Sequence, residues 1–576
     1  MSTVVLGVNC AYHESSACLL KDGDIIAAVE EERFNRKKHA KASRVDNADA
    51  LPLSSIEYVL RAAGVAPSQV DHVALTLDPD KRLRENKDLN EPGIPLNDFG
   101  TPAGEAIFHR HVKRSGVLLH ERFPKAQIHF LEHHLCHAAS AFFPSPHERA
   151  AVLTVDGIGE SASTWMGVGE GNKLTMLHEV RYPHSLGFVW EKVSELLGFD
   201  VYGGPGKLMG YACITDPLGE KSGVDYAERF RRVIRPEGDG FTVDNQVMRF
   251  RRPDFSGLEP LFGPRRPEVV DRFEEASIGS GLQTVTEEII VHLANRLHAR
   301  TGAEALCVAG GVTLNCVANS AVLAKTPFRL LHAQPAANDA GTALGAACYV
   351  WCQMLGNTRR PRLTHTYLGP SYSEPEIDAA LRAANLSATK PDDIARECAA
   401  LIDRGMIVAW FQGRLEFGPR ALGNRTILAD PSRFDMRTRL NAKVKERESF
   451  RPFAPSVLAE DVGVHLKTPG DLDAAEYMLL ALEVKDRKSA QHLPAVVQEN
   501  GSTGVSTSRA HVVREEANPL YARLLREVKA RTGLGMVLNT SFNISEPIVC
   551  TPEHAVRTFE KSRMDALAIG SFLVRR

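Results

Sequence analysis

Two histidines and two aspartates have residue types and a spacing that suit a metal ion. His133 and His137 are four residues apart in EHHLCHAASAFF, so on a helix both imidazoles lie on one face. Asp156 follows an apolar segment and Asp339 lies in PAANDAGTALGAA, at turn positions from which a carboxylate can enter a cleft. Two imidazoles and two carboxylates suit iron(II), manganese or zinc. The alternative is a packed or solvated helix face and two turn residues.

Glycines near these aspartates suit a phosphate-bearing ligand. Gly310 and Gly311 follow an apolar segment, and Gly341 opens an alanine-rich helical segment. Backbone amides at such glycines can approach phosphate oxygens closely. We expect these glycines, with Asn315, to form a nucleotide site; ordinary tight turns are the alternative.

Basic residues in a second region lie among glycines, prolines and aromatic residues. Arg420 and Arg425 belong to GRLEFGPRALGNRTILADP, and Lys445 and Arg451 to NAKVKERESFRPFAPS. Because a guanidinium makes two-point contacts with phosphate or carboxylate, convergent arginines predict a small, highly charged substrate. A solvated basic surface is the alternative for about half of the charges in this region, Arg447 among them.

The segment LNTSFN places three polar residues near the end of a predicted strand. Asn539, Ser541 and Asn543 alternate along it, so their side chains lie on one side. This pattern predicts a pocket-facing polar edge, with an exposed edge strand as the alternative.

The elements that must position these residues indicate a mixed α/β protein. Residues 4–13 and 17–33 predict a β-hairpin with Asp22-Gly23 as its turn. Apolar strands followed by glycine recur at 150–159 and 304–312, with helical patterns between them. In such folds ligands lie at the carboxyl ends of strands.

The second region begins after a polar, basic segment at residues 356–365. Strands are predicted at 406–414 and 535–549. The 576 residues predict three to five domains, or fewer large ones.

Composition excludes several classes of partner. Lys and Arg number 69 and Asp and Glu 71, a net charge of −2, so we expect no nucleic-acid or membrane partner. Ten cysteines without a leader or paired CxxC motifs predict a cytoplasmic location. The longest nearly uncharged window is shorter than the ~20 residues of a membrane span.

Ten collinear segments resemble the NodU/CmcH family of O-carbamoyltransferases. They are HHLCHAASA, VDGIGE, PHSLGFVWEKVSELLGF, GPGKLMGYA, AGGVTLNCVAN, NDAGTALGAA, GRLEFGPRALGNRTILADP, FRPFAPS, NTSFN and EPIVCTPEHAVRTF. The resemblance implies an actin/sugar-kinase-like domain, similar to the threonylcarbamoyl-transfer enzymes of tRNA, at residues 1–355. A linker at 356–375 and a YrdC-like α/β domain at 376–576 would follow.

The resemblance also implies a reaction. The YrdC-like domain would convert carbamoyl phosphate and ATP, with Mg²⁺, to carbamoyladenylate. The N-terminal domain would transfer the carbamoyl group to a hydroxyl of a small-molecule natural product, such as an antibiotic or toxin. His13 would be a general base there.

By the same resemblance, His133, His137, Asp156 and Asp339 would bind iron(II), with manganese or zinc as alternatives. The carbamoyl phosphate and ATP site would comprise Arg420, Arg425, Lys445, Arg451, Arg509, Asn539 and Ser541, with Lys445 and Arg451 acting in catalysis. The segment 508–513 departs from the family pattern, with His511 in place of a glutamine.

Two rival functions stay open at this point. A threonylcarbamoyl-type tRNA-modifying enzyme would need an RNA-binding surface, against which the neutral charge argues. An actin- or heat-shock-type ATPase switch would leave the basic region without a purpose. The acceptor and the oligomeric state, a homodimer included, are not defined by the sequence.

Overall fold

The chain folds as two compact α/β units. The computed structural model describes residues 2–214, 223–269, 273–358, 361–499 and 504–576. The boundary between the N-terminal and C-terminal units falls between Leu363 and Thr364, inside the segment predicted as a linker. No helix in these described ranges is long and apolar enough to cross a membrane.

The N-terminal unit contains two five-stranded sheets and a separate hairpin. Its strands are β1 Val4–Asn9, β2 Ser16–Lys21, β3 Asp24–Glu30, β4 His72–Leu75, β5 Gln127–Phe130, β6 Arg149–Val155, β7 Ala162–Glu170, β8 Lys173–Arg181, β9 Ile234–Glu237, β10 Gly240–Val243, β11 Ala305–Ala309 and β12 Leu330–Ala333. The first sheet has the order β3-β2-β1-β4-β5. The second has the order β8-β7-β6-β11-β12, so the same arrangement occurs twice.

Each of these sheets combines two kinds of pairing. The first three strands of each form an antiparallel meander, and the last two run parallel to the first. The predicted hairpin at the start of the chain is confirmed: β2 and β3 meet at Asp22 and Gly23, whose φ angles are 53° and 86°.

Helices connect and cover the sheets of the N-terminal unit. They are α1 Glu32–Asn35, α2 Leu53–Ala63, α3 Pro79–Asn86, α4 Pro102–Arg122, α5 His133–Phe142, α6 Leu186–Leu196, α7 Gly204–Tyr211, α8 Tyr226–Arg231, α9 Asn245–Met248, α10 Glu259–Phe262, α11 Phe273–Thr301, α12 Cys316–Lys325 and α13 Ala340–Tyr349. Gly345 of α13 lies against α5, where an added Cβ would come within 1.8 Å of the Cys136 carbonyl oxygen. This close approach brings the two helices that carry the candidate ligands together.

The C-terminal unit is built on a seven-stranded mixed sheet with the order β19-β15-β20-β14-β13-β21-β22. Its strands are β13 Val408–Phe411, β14 Arg425–Ala429, β15 Ala454–Leu458, β16 Leu482–Glu483, β17 Gln498–Glu499, β18 Ser506–Ser508, β19 His511–Val513, β20 Met536–Ser541, β21 Ala566–Ile569 and β22 Phe572–Arg575. Its helices are α14 Glu374–Ala383, α15 Ile394–Asp403, α16 Met436–Lys443, α17 Val462–His465, α18 Arg487–His492, α19 Pro519–Thr532 and α20 Pro552–Lys561. Apolar side chains of α15 and α19 pack on this sheet around the buried Trp410.

Candidate functional site

The four predicted metal ligands of the N-terminal unit come together. His133 and His137 lie one turn apart on α5, Asp156 directly follows β6, and Asp339 directly precedes α13. One ligand atom from each lies within 4.8 Å of those of the other three. The residues that helical spacing and strand-end position indicate in the sequence therefore form a single cluster.

The donor atoms are spaced as ligands of one ion would be. The His133 Nε2 lies 3.2 Å from the His137 Nε2, 3.3 Å from an Asp156 oxygen and 3.4 Å from an Asp339 oxygen. The His137 Nε2 lies 3.4 and 3.6 Å from the same two oxygens. Ligands bound at roughly 2.0–2.2 Å lie about 3–4 Å apart around an ion. The described residues therefore fit a divalent metal held by two nitrogens and two oxygens.

Neighbouring groups orient these ligands. The His133 Nδ1 faces the Thr76 carbonyl oxygen at 3.3 Å, which favours the tautomer with Nε2 available to a metal. The Gly311 N–H donates to Asp156 Oδ1 at 2.9 Å and leaves Oδ2 directed at the imidazoles. The Nδ1 of His137 is buried and has no hydrogen-bond partner among the described residues.

Charge coupling within the cluster is strong. Burial alone would lower the pKa of His133, but the carboxylates of Asp339 and Asp156 raise it well above the usual histidine value. Although burial opposes the charge, hydrogen bonds from the two imidazoles hold the pKa of Asp156 well below its usual range. The cluster thus stabilises positive charge at its centre, as a cation site requires.

His13 lies beside this cluster in the connection between β1 and β2. Its Nδ1 is 4.0 Å from an Asp339 oxygen and has no hydrogen-bond partner among the residues described. The rings of Tyr202 and His39 flank it at centroid distances of 5.3 and 6.3 Å. No sequence pattern predicts these two neighbours, because they approach from distant segments.

The predicted nucleotide-binding residues have partners within the protein. The amide of Gly310 donates to Ala337 and that of Gly341 to Asn338, while Gly311 binds Asp156 as described. Gly310 has a φ of 93°, and an added Cβ would lie 2.3 Å from the Val155 carbonyl oxygen. A nucleotide phosphate would have to replace these amide partners, so the phosphate role stays a prediction.

Asn315 is buried and caps α12. Its Oδ1 accepts from the Ala318 amide at 3.1 Å. Its side chain also pairs reciprocally with Gln283, at 2.7 and 3.2 Å. This geometry gives Asn315 a structural task, and a contact with a nucleotide would require the pair to open.

In the C-terminal unit, Lys445 is buried beside the end of β20. Its Nζ donates to the Ser541 carbonyl at 2.6 Å, to the Asn543 carbonyl at 2.9 Å and to Asn543 Oδ1 at 2.7 Å. Asn539 donates instead to Ser456 and to the Ala421 carbonyl, both at 2.9 Å. The structure therefore brings Lys445 and Ser541 together, and adds Asn543 to them.

Arg451 and Arg509 share a positively charged neighbourhood with Arg447. Burial, together with the positive charges of Arg451, Arg509 and Arg437, lowers the pKa of Arg447 to about 9, although the carboxylate of Glu448 opposes this shift. The charged sequence around Arg447 favours the alternative of a solvated surface position. Instead α16 ends at Lys443, and the Arg447 guanidinium donates to Asn441 at 2.8 Å.

Arg425 occupies the core rather than an open pocket. Its guanidinium lies 3.7 Å from the centre of the Phe411 ring. Its two terminal nitrogens donate to four backbone carbonyls, those of Gln412, Asn424, Pro370 and Gly413. A substrate phosphate would have to displace these carbonyls to reach Arg425. Arg420, by contrast, is half-buried and lies in the loop between β13 and β14.

Comparison with known proteins assigns both units. Residues 4–348 match the family described as carbamoyltransferase N-terminus, and residues 399–576 match carbamoyltransferase C-terminus. An uncharacterized protein of Synechocystis is 37% identical over 100% of this chain and 97% of its own length. The nodulation protein NolNO of Sinorhizobium fredii is 34% identical over 99% of this chain and 80% of its own.

Solved structures are more distant. Component A of the (R)-2-hydroxyglutaryl-CoA dehydratase of Acidaminococcus fermentans is 16% identical, with a TM-score of 0.29 over 60% of this chain and 96% of that chain. HypF from T. kodakarensis is 12% identical, with a TM-score of 0.31 over 62% of this chain and 48% of that chain. The two sequence matches cover most of both units, and the chain belongs to the carbamoyltransferase family.

Proposed function

We propose that this carbamoyltransferase is an ATP-dependent O-carbamoyltransferase that acts on a hydroxyl of a small-molecule natural product. The observation that carries the proposal is the buried cluster of His133, His137, Asp156 and Asp339 in a chain of this family. The repeated strand order of the N-terminal unit supports the expected actin/sugar-kinase-like architecture. A YrdC-like architecture is proposed for the C-terminal unit.

The first half-reaction is proposed for the C-terminal unit. Water hydrolyses carbamoyl phosphate to carbamate and inorganic phosphate, and a carbamate oxygen then attacks the α-phosphorus of ATP. Pyrophosphate leaves and carbamoyladenylate forms. The positive charges of Arg420, Lys445, Arg451 and Arg509 stabilise the negative charge that both substrates carry and that develops on the α-phosphate.

The second half-reaction is proposed for the N-terminal unit. His13 accepts the proton of the acceptor hydroxyl, whose oxygen attacks the carbamoyl carbon as AMP leaves. His133, His137, Asp156 and Asp339 would hold iron(II), with manganese or zinc as alternatives. The bound ion would act as a Lewis acid that neutralises phosphate charge.

The first half-reaction can be tested without knowing the acceptor. The protein is incubated with ATP, Mg²⁺ and carbamoyl phosphate, and pyrophosphate and carbamoyladenylate are followed by mass spectrometry. We expect pyrophosphate only when carbamoyl phosphate is present. Cleavage of ATP to ADP would contradict the proposal and favour an ATPase switch, and the absence of any cleavage would also contradict the proposal.

Variants separate the two proposed sites. Arg420→Ala and Lys445→Ala should abolish adenylate formation, because each removes a positive charge from the proposed anion site. His137→Ala should preserve adenylate formation and block carbamoyl transfer. Equal loss of both steps in all three variants would contradict the two-site proposal.

A further inference from the structure

The backbone that follows Arg420 is held by a buried carboxylate. The side chain of Glu416 is 2% exposed. Its Oε1 accepts the amides of Leu422 and Asn424, each at 2.8 Å, and that of Arg425 at 3.1 Å. Three amides on one anionic oxygen are charge-assisted hydrogen bonds, about twice as strong as neutral ones. Glu416 therefore folds the chain back on itself two to five residues after Arg420.

The carbonyls of the same segment are held by buried donors from elsewhere in the C-terminal unit. Each of three successive carbonyl oxygens accepts one side-chain hydrogen bond. The pairs are Asn539 to Ala421 at 2.9 Å, Tyr367 to Leu422 at 2.7 Å and Trp410 to Gly423 at 2.9 Å. Since both the amides and the carbonyls have fixed partners, the segment retains little freedom to move.

This arrangement matters for Arg420 because an arginine on a mobile loop must be ordered when it binds. Ordering a loop or a long side chain on binding reduces affinity, and a preorganised site avoids that loss. The amides that Glu416 binds begin two residues after Arg420, so the carboxylate limits the positions that the guanidinium can reach.

We propose that Glu416 is a positioning residue that preorganises Arg420 for binding carbamoyl phosphate. This inference rests on the function proposed above. Because the Oε2 of Glu416 has no hydrogen-bond partner among the described residues, Glu416→Gln keeps the side-chain volume and one acceptor oxygen. The variant removes only the charge that strengthens the three amide hydrogen bonds.

The test measures pyrophosphate release at saturating ATP over a titration of carbamoyl phosphate. For Glu416→Gln we expect KM for carbamoyl phosphate to rise about tenfold, which corresponds to 1.4 kcal/mol, with kcat within about twofold of the wild type. Amide hydrogen exchange at Leu422, Asn424 and Arg425 should accelerate in the same variant. The matched control is Glu460→Gln, which removes a carboxylate that is 53% exposed. This control should change neither the KM for carbamoyl phosphate nor the amide exchange rates.

A second variant keeps the test valid if Glu416→Gln folds poorly. Tyr367→Phe removes the hydroxyl that donates to the Leu422 carbonyl and accepts from the Asn518 side-chain amide at 3.1 Å, and it should raise KM about three- to tenfold. A purely structural role would lower kcat in proportion to the folded fraction and leave KM unchanged, and that result would overturn the proposal.

The exchange measurement separates this inference from the proposed function. Accelerated amide exchange with an unchanged KM would overturn the positioning role of Glu416 and leave the proposed function of the protein intact. Absence of carbamoyl-phosphate-dependent pyrophosphate release from the wild type would overturn the proposed function, and the role of Glu416 in binding with it.

Discussion

Replacing Asp156 by Asn tests the metal cluster with almost no change in shape. Asp156 Oδ1 accepts the Gly311 amide, so the variant keeps its carbonyl oxygen there and places its NH₂ group at the Oδ2 position. That position lies 3.3 and 3.4 Å from the Nε2 atoms of His133 and His137. The amide protons then point at the space where the imidazole lone pairs converge. One of four ligands is lost and the carboxylate charge falls by half.

The magnitude follows from binding linkage. A metal present at 100 times its Kd stabilises the wild-type fold by about 2.7 kcal/mol. If the variant binds about a hundredfold more weakly, the same metal concentration adds only about 0.4 kcal/mol. We therefore expect manganese(II) to raise the unfolding midpoint of the wild type and to leave that of Asp156→Asn nearly unchanged.

The assay is thermal unfolding with and without manganese(II), combined with elemental analysis of bound metal. Asp46→Asn is the control, because its carboxylate is 46% exposed and pairs with Arg44 on the surface. Equal metal-dependent stabilisation of the wild type and Asp156→Asn would refute the assignment of Asp156 as a ligand. Absence of any stabilisation of the wild type would refute the metal site.

Three further predictions concern buried polar groups. Lys445→Met should abolish pyrophosphate release and lower the free energy of unfolding by about 1–3 kcal/mol in urea titrations, because it leaves buried oxygens without a donor. Arg82→Met should lower the free energy of unfolding by about 3–5 kcal/mol in the same measurement, because it leaves the carboxylate of Glu105 buried and unpaired. The control Arg44→Met, at an exposed ion pair, should lower it by about 0–1 kcal/mol. Burial lowers the pKa of His511 to about 3, so as the pH falls below about 6.5 the unfolded state takes up a proton and the folded state does not. The free energy of unfolding should therefore drop by about 1.4 kcal/mol per pH unit below that pH, and less steeply in His511→Gln. Urea midpoints measured between pH 7 and 4 follow this change. An unchanged midpoint for Arg82→Met, or equal pH slopes for the wild type and His511→Gln, would contradict these accounts.

The candidate metal cluster was accessible from the sequence because its geometry is largely local. Four-residue spacing places His133 and His137 on one helix face whatever the rest of the fold does. Asp156 and Asp339 sit at the ends of elements that their apolar neighbours define. Their convergence on one point could be expected only from the α/β fold class, in which strand ends meet at a common edge.

The basic region shows where sequence patterns stop being informative. Arg425 and Arg451 both occur in segments that contain proline and phenylalanine, yet Arg425 binds four backbone carbonyls in the core and Arg451 is 30% exposed near Glu448. Arg447 lies between charged residues and is nevertheless largely buried. Burial depends on contacts with distant segments, which residue spacing does not encode.

The strand order that the two sheets share is not visible as a repeat in the amino-acid sequence. Each sheet requires only short apolar strands in the same sequential order along the chain, and many different amino-acid sequences form such strands. Topology can therefore recur without similarity between the segments. The supporting groups, such as Thr76 and Gly311, were invisible as partners for the same reason: they lie far along the chain from the ligands that they orient.

The two candidate sites have opposite electrostatic character, and this difference agrees with the two half-reactions proposed for the chain. In the N-terminal unit, two carboxylates and two fully buried imidazoles stabilise a positive charge at their centre. In the C-terminal unit, burial and the nearby charges of Arg451 and Arg509 lower the pKa of Arg447, so that neighbourhood favours an anion. The phosphate site proposed for one unit and the cation site proposed for the other would impose conflicting requirements on the same side chains. Separate units remove that conflict, because each can be preorganised for one charge.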